Sequence, residues 1–194
     1  MHKGRLEAFS DAVIAIIMTV MVLELKAPKG NTLLALENSL PSLALYLLSF
    51  VFLAIYWNNH HHMLQVAKHV NGAVLWANMN LLFWLSLIPF VTDWLGGTGI
   101  SHWPVASYGF TLFMCGVSYS ILQVTLIKAN GKNSAFARAL GSDIKGKLSV
   151  LIYLVAIGAT WVNPFVSCGM FVCVALLWLV PDRRMEKAAG THQE

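Results

Sequence analysis

The chain opens with a long apolar stretch that carries ionisable residues at its two ends. Residues Phe9 to Leu25 are almost entirely hydrophobic, with Asp11 near the start and Arg5 just before it. Roughly 17–25 apolar residues cross the hydrocarbon layer of a bilayer, so this stretch predicts a short membrane helix. Ionisable groups at the edge of such a helix are costly unless they have partners. Asp11 and Arg5 therefore either take part in function or anchor the helix end among the lipid headgroups.

Helical geometry gives this first helix two different surfaces. At about 100° per residue, Ile16, Val20 and Leu23 fall on one stripe, with Thr19 beside it. Asp11 lies roughly 140° away from Ile16, on another face. The pattern indicates a polar surface near the start of the helix and a branched, apolar surface further along.

Composition identifies the class of protein. Hydrophobic residues make up 57% of the 194 residues, and charged residues only 11%, against about 25% charged residues in a soluble domain. The chain is therefore predicted to be an all-α integral membrane protein whose partner is the lipid bilayer. The net charge of +4 does not call for a nucleic-acid partner, since the basic residues cluster in predicted loops. We expect no cleavable signal peptide, because the first apolar run is too long and lacks a cleavage site.

Hydropathy predicts one membrane domain over residues 1–194. In the second span, Asn38 or Ser39 is a plausible N-cap and Pro41 falls in the first turn. The glycines from Gly96 to Gly99 predict the turn after the third span. Asn163 and Pro164 predict a tight hairpin between the last two. The six predicted spans are about 6–26, 41–63, 72–95, 104–127, 147–163 and 165–181.

The basic residues predict the orientation. With six spans, eleven of the thirteen lysines and arginines fall on the side that holds both termini, leaving Lys26 and Lys29 on the other. Cytoplasmic loops carry the excess of basic residues, so both termini are predicted to be cytoplasmic, in the cell (plasma or inner) membrane. The segment 129–146 is then a basic cytoplasmic loop, with room for a short surface helix.

Polar residues of the first three spans are predicted to meet near the cytoplasmic side. His60, His61 and His62 are consecutive, so their side chains point about 100° apart and do not converge on one metal ion. We expect one of these histidines to face inward and meet Asp11. The predicted network fixes helix packing and comprises Arg5, Ser10, Asp11, Trp57, His60 or His61, and Asn80.

The sequence favours neither an enzyme nor a metalloprotein. No pair of acidic residues lies convincingly within a span, and no nucleophile is accompanied by a base. The three cysteines lack metal-ligand spacing and are interpreted as small core residues. The carbonyl-lined potassium filter Thr-Val-Gly-Tyr-Gly is also missing.

The first span begins with the motif Arg5-x-x-x-Phe9-Ser10-Asp11. It resembles the Arg/Lys-x-x-x-Phe-Ser-Asp motif of the transmembrane protein 175 family of lysosomal and prokaryotic potassium channels. Trp57-Asn-Asn-His60 is similar to its Trp-x-x-His. Asn80-Leu-Leu-Phe, followed by Pro89-Phe90, is similar to the pattern of its third helix, and Asn163-Pro164 fits its last hairpin.

The resemblance implies a homotetramer in which helix one of each subunit lines a central pore. Ile16 would form the narrowest ring and Thr19 the adjacent polar ring, where the permeant potassium ion passes; Val20 and Leu23 would form further rings. Phe9 would join the supporting network. The family usually has leucine at position 20, where this chain has valine. The predicted function is a modestly selective potassium channel without a cofactor, gated by rings of apolar side chains.

Two alternatives remain open at this point. The first is a proton or cation leak channel that uses Asp11 and His60. The second is a membrane transporter or scaffold that is not a channel.

Overall fold

The protein is all-helical. The computed structural model describes residues 3–141 and 143–179, and the helices in these residues are α1 (Lys3–Leu23), α2 (Leu33–Glu37), α3 (Leu40–Val66), α4 (Gly72–Ser86), α5 (Ile88–Thr98), α6 (His102–Asn130), α7 (Ala135–Leu140), α8 (Ile144–Ala159) and α9 (Pro164–Leu179). The predicted end of the last span at residue 181 and the basic residues Arg183, Arg184 and Lys187 lie outside the described residues.

Four helical segments, two of which join a pair of helices end to end, are long and apolar enough to cross a membrane. They are Lys3–Leu23, Leu33–Val66, Gly72–Thr98 and His102–Asn130. Helices α8 and α9 have 16 residues each, which gives about 24 Å of helix against a hydrocarbon layer of about 30 Å. The fifth and sixth spans therefore stay predictions.

The third predicted span is broken and longer than expected. Helix α4 ends at Ser86, and α5 starts at Ile88 with Pro89 in its first turn. Proline has no N–H to donate and its ring clashes with the preceding turn, which explains the break. We expected a turn from Gly96 to Gly99, but α5 continues through Thr98 and stops at Gly99, where φ is 78°. Glycine adopts this left-handed conformation without a steric cost, whereas Gly96 and Gly97 are accommodated in the helix.

The start of α3 also differs in detail from the prediction. Ser39 occupies the N-cap position and Pro41 lies in the first turn, but the Ser39 side chain makes no capping bond. Its hydroxyl donates instead to the Ala35 carbonyl oxygen at 3.2 Å. The short helix α2, which directly precedes α3, supplies this carbonyl.

The buried core lies along α6, which packs against α4, α5 and the α8–α9 hairpin, while α3 packs against α1, α5 and α9. Two hydroxyls fasten that hairpin: Ser167 Oγ donates to the Ala156 carbonyl at 2.7 Å, and Thr160 Oγ1 lies 3.1 Å from Ser167 Oγ. Helix α7 in the basic loop buries Phe136. This arrangement presents one face of α1 to the core and leaves the other uncovered in the single chain.

Candidate functional site

Helix α1 packs against the rest of the chain along one face only. The buried residues of α1 recur at spacings of three and four, which is the period of a single helical stripe. They face α3, α4 and α5, and they are Leu6, Ser10, Ile14, Ile17 and Met21. The fold of the single chain therefore uses about half of this helix.

The four residues predicted to form pore rings all lie on the uncovered face of α1. Ile16 is 60% exposed, Val20 41% and Leu23 78%. Thr19 is also exposed, and its hydroxyl donates to the Ile16 carbonyl oxygen at 2.9 Å. Since the hydrogen is used within the helix, the Thr19 oxygen presents only lone pairs to the outside. This face, Ile16, Thr19, Val20 and Leu23, is called the open stripe below.

Behind the open stripe, a buried chain of hydrogen bonds joins α1, α3 and α4. His60 Nε2 lies 2.7 Å from Asn78 Oδ1, and Asn78 Nδ2 donates to Ser10 Oγ at 2.9 Å. The Ser10 hydroxyl then donates to the Leu6 carbonyl oxygen at 2.8 Å. With the Asn78 oxygen as acceptor, His60 Nε2 must carry a hydrogen. All three side chains are buried, so each bond replaces one that water would otherwise make.

A second set of contacts joins α1 to α3 at the edge of the bundle. Trp57 Nε1 donates to Asp11 Oδ1 at 3.0 Å. One helical turn away, His61 Nδ1 lies 3.6 Å from Glu7 Oε1. Because each helix contributes residues four apart, the two contacts form successive rungs between the same two helix faces. We call them the Trp57–Asp11 rung and the His61–Glu7 rung.

The structure distributes the predicted network over separate contacts. His60 bonds to Asn78, whereas Asp11, the partner we expected for a histidine, bonds to Trp57. Asn80 donates to Ser118 Oγ on α6 at 2.7 Å and is not brought to His60.

The predicted network also included Arg5 and Phe9, which do not join these contacts. Arg5 is exposed, and Phe9 is 48% exposed. Within residues 3–141 and 143–179, Arg5 makes no hydrogen bond or ion pair.

The predicted network left out Asn78, Glu7 and Gln65. Asn78 is the central member of the buried chain. The Gln65 side-chain amide lies 2.8 Å from the His61 ring nitrogen Nε2, and the Gln65 backbone carbonyl accepts from Lys3 Nζ at 3.0 Å. A signal existed for Glu7, since it precedes Asp11 by one turn, as His61 follows Trp57 by one turn. In the described part of the chain, no group of three or more His, Cys, Asp or Glu residues could hold a metal ion.

These features define a multi-pass, all-α membrane protein whose first helix is fastened on one face and uncovered on the other. A sequence profile for the family described as Endosomal/lysosomal potassium channel TMEM175 matches residues 5–89. The chain is 47% identical over 188 residues to a potassium channel of Chryseobacterium sp. (strain P1-3), which covers 97% of this chain and 98% of that protein. The chain belongs to the TMEM175 family, a family of channels and not of enzymes.

A second relative and one solved structure are also similar to this chain. The chain is 32% identical over 129 residues to a potassium channel of Streptomyces collinus (strain DSM 40733 / Tue 365), which covers 62% of this chain and 63% of that protein. The fold is similar to the crystal structure of a lysosomal potassium-selective channel TMEM175 homolog from Chamaesiphon minutus. That comparison has a TM-score of 0.81 and 24% identity, over 93% of this chain and 97% of the other.

Proposed function

We propose that this protein is a potassium channel in which α1 from each of four identical subunits lines a central pathway. The observation that carries the proposal is the open stripe. Its residues are apolar and exposed in the single chain, while the opposite face of the same helix is buried. In a membrane, an apolar helix face of this kind contacts lipid, packs against another helix or lines a pathway.

The polar members of α1 favour a pathway over lipid. Thr19 lies within the open stripe with its oxygen facing outward. A hydroxyl oxygen facing hydrocarbon gains nothing, whereas one facing a pathway can receive a hydrogen bond from water or contact a partly dehydrated cation. The bacterial relatives described as potassium channels support potassium as the permeant ion.

The proposed gate and selectivity element are the apolar rings. A narrow ring of Ile16 side chains would exclude ions by dewetting and admit them when it widens slightly. Potassium sheds its water more easily than sodium, so apolar rings would favour potassium without the strong discrimination of a carbonyl-lined filter. Selectivity is therefore proposed to be modest.

Ion flux from purified protein tests the proposal. The protein is reconstituted into liposomes, and flux is measured under a potassium gradient, then under a matched sodium gradient, against protein-free liposomes. Potassium flux that exceeds sodium flux is the expected result. If folded, tetrameric protein passed neither ion, the result would contradict a channel that conducts without a stimulus. A proton flux without potassium flux would instead identify a proton leak.

Orientation is proposed separately, with both termini in the cytoplasm. Support comes from the basic residues Lys3, Lys68, Lys128 and Lys132, which lie at the same end of the bundle, with Lys29 at the other end. Cysteine introduced at Lys29 should react with an impermeant thiol reagent added to intact cells, and cysteine at Lys132 should not. The reverse pattern would overturn the orientation.

A further inference from the structure

A cavity of about 590 Å³ lies at the end of the bundle where α1 leads into α2. Its walls come from the end of α1, the segment 24–29, α2, the start of α3, and α5. Sites for small organic molecules usually enclose about 300–1,000 Å³, so this volume is in their range. Neither the open stripe nor the buried hydrogen-bond chain includes a residue that lines it. We call it the α1–α3–α5 cavity.

Two hydroxyl groups in the wall that α3 and α5 form have already donated their hydrogens to the backbone. Ser42 Oγ donates to the Gly96 carbonyl oxygen at 3.1 Å, and Thr92 Oγ1 donates to the Ile88 carbonyl oxygen at 2.7 Å. Both Ser42 and Thr92 line the cavity. Because a hydroxyl carries one hydrogen, each of these groups can offer a ligand only a lone pair.

Asp93, which follows Thr92 on α5, adds a carboxylate to the same wall. In the part of the chain that the structure describes, Asp93 makes no hydrogen bond or ion pair, although it is only partly exposed. A half-buried carboxylate without a partner is costly, so the fold of the single chain gains nothing from it. A carboxylate accepts hydrogen bonds and does not donate them. The wall is therefore made of acceptors, and it fits a ligand with N–H donors and a positive charge.

The other charged residues that line the cavity all lie on the segment 24–29. They are Glu24, Lys26 and Lys29, and each of them is exposed. Exposed lysines keep their ammonium groups in water, where salt screens their charges. Glu24 also offsets one of the two lysines. The segment therefore adds little repulsion against a cation that sits on the wall formed by α3 and α5.

The rest of the lining favours an organic cation over a metal ion. Met21 of α1 and Leu43 and Tyr46 of α3 supply surface against which a hydrocarbon or aromatic body can pack. Among the described residues, no group of three or more His, Cys, Asp or Glu could hold a metal ion. The volume is also many times the roughly 30 Å³ that one water molecule occupies. A small apolar body with one protonated amino group matches both parts of the lining.

We propose that the α1–α3–α5 cavity is a binding site for a small protonated organic amine, with its ammonium group on the Asp93 carboxylate and its apolar body against Met21, Leu43 and Tyr46. Binding does not rest on the proposed function, because the site lies within one chain and away from the open stripe. Met21 belongs to the packed face of α1. A bound amine therefore contacts the helix that carries the open stripe, but on its opposite face.

Calorimetric titration of the purified full-length protein with phenethylamine tests the site. Phenethyl alcohol and hydrocinnamate have a similar apolar body but replace the ammonium group by a hydroxyl and by a carboxylate. We expect phenethylamine to bind at least about tenfold more tightly than either, because only its head group is a positively charged donor. This comparison uses the parent protein and needs no variant. Equal affinities for the amine and the alcohol, or no binding of the amine, would overturn the proposal.

Asp93→Asn tests the position of the ammonium group. The change keeps the size of the side chain and removes its charge, so the affinity for phenethylamine should fall at least about tenfold. Since Asp93 has no partner to lose, the variant should unfold at the parent temperature or above it. Glu37→Gln is the matched control, because it removes an exposed carboxylate of α2 that does not line the cavity, and it should keep the parent affinity. Parent affinity in Asp93→Asn would overturn the proposal by placing the amine elsewhere, whatever the potassium flux.

Discussion

The indole nitrogen of Trp57 donates a hydrogen bond of 3.0 Å to the carboxylate of Asp11, although the two residues are 46 positions apart. Asp11 lies within the apolar length of α1, where an unpaired carboxylate is costly. The bond gives that carboxylate a partner and fixes the rotation of α1 relative to α3. The orientation of the open stripe depends on that rotation.

Replacing Trp57 by phenylalanine should therefore weaken the attachment of α1. The change keeps most of the aromatic surface but removes the donor, and we expect a loss of about 1 kcal/mol of unfolding free energy for this partly exposed bond. Thermal or denaturant unfolding measures the loss. Trp76→Phe is the control, because Trp76 is 79% exposed. Equal losses in the two variants would show that the hydrogen bond to Asp11 contributes nothing.

Asn78→Leu should destabilise the protein more strongly. It leaves the buried His60 Nε2–H without an acceptor, and an unsatisfied buried donor costs about 1–3 kcal/mol. Combined with His60→Leu, the loss should be smaller than the sum of the single losses, since the double variant leaves no orphaned donor. Met79→Leu, on the exposed side of the same helix, should change stability little. Strict additivity of the two losses would argue against the hydrogen bond.

Gly109→Ala should disrupt the packing of α6 against the α8–α9 hairpin. A Cβ at this position would lie 2.7 Å from Phe171 Cζ and 3.2 Å from Ile157 Cγ1, and the forced shift should cost about 1–3 kcal/mol. Gly158→Ala is the matched control in α8, where a Cβ meets nothing within 4 Å. It should stabilise the helix by about 0.5–1 kcal/mol. A parent-like unfolding midpoint for Gly109→Ala would contradict this close contact.

Adjacent isoleucines of α1 should separate conduction from stability. Ile16→Asn places an amide on the open stripe, so we expect a larger and less discriminating ion flux with little change in unfolding. Ile17→Asn places the same amide on the packed face, where Ile17 is 6% exposed, and should lower stability by about 2–4 kcal/mol. Flux and unfolding are measured on both. Parent-like flux and selectivity in Ile16→Asn would remove Ile16 as the constriction.

The sequence was sufficient to predict the long helices and the two faces of α1, because both follow from local periodicity and hydropathy. The match between the predicted stripe of Ile16, Val20 and Leu23 and the uncovered face of α1 is of this kind. The break between α4 and α5 had a local cause in Pro89, but hydropathy is insensitive to it because the apolar run continues across it.

The polar partners were harder to predict because they depend on how each helix is rotated against its neighbours. Asn78 and Asn80 point about 160° apart on α4, and only the packing decides that Asn78 meets Ser10 and Asn80 meets Ser118. His60 and His61 present the same problem, since they differ by one position and face different helices. Unless the rotation of each helix is known, the partner of such a side chain cannot be assigned from the sequence.

The division of α1 into a packed and an uncovered face has an evolutionary consequence. Side chains at positions 16, 19, 20 and 23 contribute little to the folding of the subunit, because they are exposed in it. Substitutions there escape most of the selection that maintains a stable fold, while positions 6, 10, 14, 17 and 21 remain under it. One surface of a single helix can thus change without unfolding the chain, so the constraint on that surface comes from what it contacts outside the single chain and not from the fold.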